Sequence, residues 1–201
     1  MNKVESLIIA SLYDFMDLEY ITKPDAKGKS NLVFPITRDE KQRVSEQEAR
    51  LLFLQHVEKD GEFLYSIETP TTKAYKFSGK NERSGNIDVC LYGKEDRKRK
   101  HHIEFKALNP KQASFSKDFE KIFGDEEGLT NYFIHALVKT DSGTIRNIEK
   151  KYNEAVKNAI AENTDFKSCL VIFLCDMGNK EITRYDVDGK GELTPKIISE
   201  K

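Results

Sequence analysis

The chain reads as an α/β domain, a mixed β-sheet flanked by helices, and three observations predict it. Strand-like runs cluster first, between Phe63 and Leu108. They then alternate with helical patterns as far as Met177. Strands clustered early and alternating with helices later make a mixed sheet flanked by helices. The composition, 38% apolar and 33% charged over 201 residues, suits a folded chain with a heavily charged surface and enough length for one core. No internal repeat, low-complexity tract or linker divides the sequence, so residues 1–201 are read as one domain, with a helical extension over 1–40 and a core over 45–176.

Each element has its own signal. Val4 to Leu18 carries Leu7, Ile8, Leu12, Phe15 and Met16 near one face, which predicts an amphipathic helix. "TKPDAKGKSN" breaks that pattern with Pro24, Gly28 and a charge cluster, so it is a loop. "SEQEARLLFLQHVEKDG" predicts a second helix, because Ser45 followed by Glu48 is a capping box and Gly61 supplies a stop. In "EFLYSIETPTTKAYKFSG", Phe63, Tyr65 and Ile67 alternate with other residues as in a strand. Pro70 ends or bends it, with Tyr75 and Phe77 as a short continuation. "NIDVCLYGKEDRKRKHHIEFKAL", Asn86 to Leu108, is two apolar runs around a charged turn and predicts a hairpin. Beyond Pro110, Phe115, Phe119, Ile122 and Phe123 fall at helical spacing. "NYFIHALVK" is a short strand, and Ile145, Ile148, Tyr152, Val156 and Ile160 stripe a long helix. "SCLVIFLCDM" is continuously apolar and predicts a strand buried on both faces. The C-terminal "EITRYDVDGKGELTPKII" predicts a hairpin turning at Asp188-Gly189.

Composition also narrows the function. The net charge of −1 gives no global basic field, so any polyanion binding depends on a local patch. Cys90, Cys169 and Cys175 sit in apolar runs without a CxxC pair, as small core residues in a reducing compartment, and the four scattered histidines add no zinc pattern. Glu5, Asp14 and Asp17 interrupt the first apolar stretch, which suits an amphipathic helix better than a signal peptide, and no run is long enough to span a bilayer, so a cytoplasmic protein without a membrane role is expected. The absence of a phosphate-cradling glycine loop argues against ATP or GTP chemistry.

The Asn86–Leu108 hairpin carries the chemistry. Ile87, Val89 and Leu91 on one run, and Ile103 and Phe105 on the other, define a core face. Asp88, Glu104 and Lys106 fall on the opposite face. A turn centred near Asp96 places Asp88 opposite Glu104, with Cβ atoms about 5 Å apart. Two carboxylates so close repel unless a cation lies between them. Lys106 supplies one positive charge, and a divalent ion would neutralise the pair. Oxygen donors suit Mg²⁺ or Mn²⁺ better than zinc. The plain structural alternative is an exposed strand face on which Lys106 bridges to Glu104.

Asp88 in "GNIDVCLY" and Glu104 with Lys106 in "HHIEFKAL" resemble the PD-(D/E)xK nuclease superfamily. "SEQEARLLF" resembles that family's first core helix, and the order of elements from Ser45 to Asp176 resembles its αβββαβ core. Ile87 stands where the family has proline. The resemblance implies a restriction-endonuclease-like sheet with an added N-terminal helix and C-terminal hairpin. It implies a metal-dependent nuclease, with DNA as partner and Mg²⁺ or Mn²⁺ as cofactor. Asp88, Glu104 and the Phe105 carbonyl would hold the metal, and Lys106 would orient or deprotonate the attacking water. A helix glutamate would complete the set. Glu48, beside the stripe of Leu51 and Leu52, is favoured over Glu46, although the capping box competes equally for it. Sequence recognition would come from loops, a homodimer or a separate partner. The alternatives are a non-catalytic nucleic-acid-binding or regulatory protein on the same fold, and an unrelated Mg²⁺-dependent nucleotide hydrolase.

Lys73, Arg97, Lys98, Arg99 and Lys100 are candidates for gripping a phosphate backbone, the last four in the turn "KEDRKRKHH". Hairpin tips are commonly charged only to stay solvated, and Glu95 and Asp96 dilute this one. Glu68, Thr69 and Thr71 are read first as turn residues at a strand exit, and Lys80, Arg83, Lys111 and Lys117 as weaker phosphate contacts.

Overall fold

The computed structural model describes residues 1–20, 30–41, 43–75, 83–124, 129–138, 140–163 and 169–198. Phe77, Lys80 and most of the "TKPDAKGKSN" loop lie outside them. The N-terminal helix, α1, spans Lys3–Met16 and is capped by Asn2, whose side chain accepts the Glu5 N–H. Two short parallel strands follow, β1 (Glu19–Tyr20) and β2 (Val33–Phe34), which no periodicity announced. The second helix, α2, spans Glu46–Asp60 and starts at the predicted capping box. It stops at Gly61, whose φ of +73° is the left-handed conformation that glycine tolerates.

A seven-stranded sheet follows. Its strands are β3 (Phe63–Tyr75), β4 (Arg83–Gly93) and β5 (Arg99–Ala107), then β6 (Thr130–Leu137), β7 (Cys169–Asp176), β8 (Glu181–Val187) and β9 (Leu193–Ile198). Their order across the sheet is their order in the chain. The β3–β4, β4–β5, β7–β8 and β8–β9 pairs are antiparallel, and β5–β6 and β6–β7 are parallel. The two parallel joins are made by α3 (Gln112–Gly124) and α4 (Ser142–Glu162), so the fold is α/β with a mixed sheet. The stretch from α2 to β6 runs αβββαβ.

Strand alternation sorts the core into two layers. Val89, Leu91, Ile103, Phe105, Tyr132, Ile134 and Phe173 pack with α1 and α2. Phe133, Leu137, Leu170, Ile172 and Leu174 pack with α3 and α4 on the other face. The central strands β6 and β7 are covered on both sides, which is why their sequences are unbroken apolar runs.

Two elements depart from the expected pattern. Pro70 bends β3 and does not end it: the register with β4 shifts between Pro70 and Ala74, and Glu68 sits at φ +48°. Along this strand Ile67 is exposed while Thr69 and Thr71 are buried. At the C-terminal hairpin, the left-handed residue is Gly191, and the Asp188 carboxylate closes the turn by accepting the Lys190 and Glu192 N–H groups. Among the described residues no helix is long and apolar enough to cross a membrane.

Candidate active site

The geometry of the site follows from where β4 and β5 part. Val89 pairs with Ile103, Cys90 with His102 and Leu91 with His101, the register of a hairpin centred on Asp96. Beyond Val89–Ile103 the ladder ends, while β4 stays paired to β3 through Ile87 and Asn86. Asp88 takes over at the break: its Oδ2 accepts the Phe105 N–H at 2.8 Å. In an extended strand the carbonyl of a residue points to the same side as its N–H, so the Phe105 carbonyl is directed towards β4 as well.

The gap opens into a polar cavity of about 420 Å³. Asp88, Glu104, Phe105 and Lys106 line it from the hairpin. Glu46 enters from α2, Glu68 from β3, and Lys117, Asp118 and Lys121 from α3. The charged face of the hairpin therefore lies under α3, where Asp88 and Lys106 are half-buried and Glu104 is only 1% exposed. Its carboxylate is held by Lys121, Nζ to Oε1 at 2.6 Å. The same ammonium donates to the Asn86 carbonyl at 2.9 Å and lies 3.2 Å from Asp118. Lys106 does not bridge to Glu104, because Asp118 is its partner at 2.5 Å. Arg50 joins the rim, 2.7 Å from Glu68 and 3.7 Å from Asp88.

Electrostatics follow from this burial. Desolvation pushes Asp88 above the usual carboxylate range, against the Phe105 N–H, Lys121 and Arg50. Glu104 is pushed well up, first by burial and then by Asp88 and Asp118, with Lys121 acting in the other direction. Burial pulls the Lys106 ammonium down, but Asp118, Glu104 and Glu46 outweigh it and leave its pKa raised. These neighbours favour the cationic form of Lys106, which suits it to orient water and stabilise anionic charge.

The predicted residues divide. Asp88, Glu104, Phe105 and Lys106 come together in the cavity, and Glu48 does not join them. Its Oε2 accepts from the Ser45 N–H at 3.0 Å and the Ser45 Oγ at 2.6 Å, closing the capping box that competed for it in the sequence. Glu46, two residues earlier on the first turn, lines the cavity in its place. The basic turn sits at the other end of the hairpin. Seven residue steps along β5, about 23 Å of extended strand, separate Arg99 from Lys106. Asp96 accepts from the Lys98 N–H and pairs with Lys100, Arg97 sits at φ +53°, and Arg99 donates to the Pro70 carbonyl. Lys73 is exposed on β3 and does not line the cavity. Glu68 and Lys117, ranked low in the sequence, do.

Asp118, Lys121 and Arg50 were missed. A signal existed for Asp118: it falls on the stripe of Phe115, Phe119 and Ile122, where a charge has no place unless it is paired. Next to this site, buried His135 lies opposite Lys106 in the β5–β6 register. Its Nε2–H donates to the Leu108 carbonyl at 2.5 Å and its Nδ1 receives the Tyr152 hydroxyl at 2.5 Å. Burial pulls this imidazole down to about 4.

The donors that could hold a cation are all oxygens: Asp88, Glu104 and the Phe105 carbonyl. Among the described residues no group of three or more His, Cys, Asp and Glu side chains is arranged as a metal cage. Two carboxylates and a carbonyl fit a hard ion that keeps several of its own waters, as Mg²⁺ does, once Lys121 yields Glu104. Comparison with known proteins adds no relative: no family model matches the chain, and no curated protein matches it.

Proposed function

We propose that the protein is a divalent-metal-dependent nuclease of the PD-(D/E)xK, restriction-endonuclease-like class, hydrolysing phosphodiester bonds, with DNA as the favoured substrate. The observation that carries this reading is the convergence of Asp88, Glu104 and Lys106 in one polar cavity at the point where β4 and β5 part. The αβββαβ order from α2 to β6 supports it. Asp88, Glu104 and the Phe105 carbonyl would hold Mg²⁺ or Mn²⁺, which when bound polarises the phosphate and acidifies water. Lys106, fixed by Asp118, faces the phosphoryl oxygens and stabilises the charge that develops there. Lys117 and Lys121 add positive charge on the α3 side, and Glu46 supplies the further acid from α2.

Purified protein incubated with double-stranded, single-stranded and branched DNA and with RNA, plus Mg²⁺ or Mn²⁺, tests this reading. Cleavage is expected with metal and none with EDTA, and Asp88→Ala or Lys106→Ala should reduce it to background. Activity surviving both substitutions would remove the site. One observation favours a second reading: Glu104 and Lys106 are both already ion-paired, with Lys121 and Asp118. That suits a non-catalytic nucleic-acid-binding protein, which would retain the strand in a gel-shift assay and leave it uncut with every metal.

A further inference from the structure

A second cavity, of about 470 Å³, is lined by residues that stand two positions along the chain from walls of the first. Val44 lines one and Glu46 the other. Leu108 lines one and Lys106 the other. Their characters are opposite. The active-site cavity is polar and rich in carboxylates. The neighbouring cavity has Val44, Leu108, Leu137 and Val138 as walls, Lys41 and Arg43 as its only charged groups, and no carboxylate among its described lining residues. The two cations are carried on a closed turn. The Thr37 N–H donates to the Lys41 carbonyl at 2.7 Å, and the Arg43 N–H to the Pro35 carbonyl at 2.9 Å.

Leu108 is the unusual wall. Its φ is +63°, a conformation that L-residues rarely adopt, and the side chain is 51% exposed. The backbone is clamped there from both ends. Its N–H donates to the Ala136 carbonyl at 2.8 Å, and its carbonyl accepts from buried His135. Strain of this kind at a site edge, held by a buried network, keeps an apolar side chain turned outward two residues from Lys106.

We propose that this cavity takes one nucleobase of the strand being cut, so that an unpaired strand is the preferred substrate; the inference rests on the nuclease reading. A base has apolar faces and is joined to an anionic backbone, which matches aliphatic walls under a cationic rim. Lys106 and Leu108, at most about 7 Å of backbone apart, line the polar and the apolar cavity, so a phosphate in the one leaves an adjoining nucleotide within reach of the other. A base inside a duplex is stacked and paired and cannot enter, and that selects single strands, frayed ends or gaps.

Fluorescence anisotropy of the full chain in EDTA, where no cutting occurs, tests the idea. The probes are a labelled oligothymidine, an abasic strand of equal length and the matching duplex. The base-bearing single strand is expected to bind about tenfold more tightly than the abasic one. Leu108→Asn keeps a residue tolerant of the left-handed conformation and removes the apolar wall, so it should bring that ratio towards one. Val138→Thr, nearly isosteric, should lower the ratio too if Leu108→Asn folds poorly. Lys41→Ala should weaken both single strands alike and reduce the salt slope by about one. A ratio of one in the unaltered protein, a ratio unchanged in both wall variants, or a duplex bound as tightly as the single strand would overturn the proposal. If strands are cut with Mg²⁺ while the ratio is one, the base site alone falls. If no strand is bound or cut, the nuclease reading falls with it.

Discussion

Lys121 illustrates how one side chain holds this site together. Its ammonium is the main positive charge acting on Glu104, which is otherwise buried beside two further acids. Removing one partner of a buried ion pair leaves the other charge uncompensated, so Lys121→Ala should destabilise the fold by about 3–5 kcal/mol in urea titrations. Replacing both partners, Lys121→Met with Glu104→Leu, should recover most of that loss, and a double variant as unstable as the single one would contradict the pairing argument. His135 gives a pH signature of its own. An unfolded histidine titrates near 6.5, whereas the folded one is held at about 4. Between these values the unfolded chain binds a proton that the folded chain refuses, so this contribution is intact above pH 6.5 and is lost as pH falls towards 4. The linkage amounts to about 3 kcal/mol in full. Urea midpoints measured from pH 7 to 4 should fall less steeply in His135→Gln than in the unaltered protein, and identical slopes would exclude His135 as the source.

At the level of elements, α2 separates a capping glutamate from one that lines the polar cavity. Glu48 closes the cap with Ser45, and Glu46 lines the cavity. Ser45→Ala should cost about 1 kcal/mol of stability and leave cleavage unchanged. Glu46→Gln should lower cleavage by about 10–100-fold, as for a group that supports metal ligands, with little change in melting temperature. The reverse pattern would return the role to Glu48. The same helix shows what the sequence could and could not reveal. The capping box was legible because it is a local signature read within four residues. Which of two glutamates reaches the cavity depends on how α2 sits over β5, and no local pattern encodes that. The hairpin was legible for a similar reason: strict alternation fixes the faces, and a centred turn fixes the register of Val89 with Ile103. Lys121 was not, because its partner Glu104 lies on another element and is met only once α3 folds back over the sheet. The register shift between Pro70 and Ala74 was half visible, since Pro70 announced a bend without saying how the strand would continue past it.

For the whole molecule, the mixed sheet was predictable because its parallel centre and its antiparallel edges differ in the kind of connection they need. The short pair β1–β2 was not, as two-residue strands carry no period. Strand order has a further consequence. Each strand of the large sheet pairs with the one made just before it, from β3 through β9. No strand must be threaded between two that are already joined, so the sheet can grow at a single advancing edge as the polypeptide is synthesised. Among the described residues, all the acids and bases that line the polar cavity lie between Glu46 and Lys121. They can thus be gathered before β7, β8 and β9 have been translated, and the later strands then seal an edge that would otherwise stand open to other nascent chains.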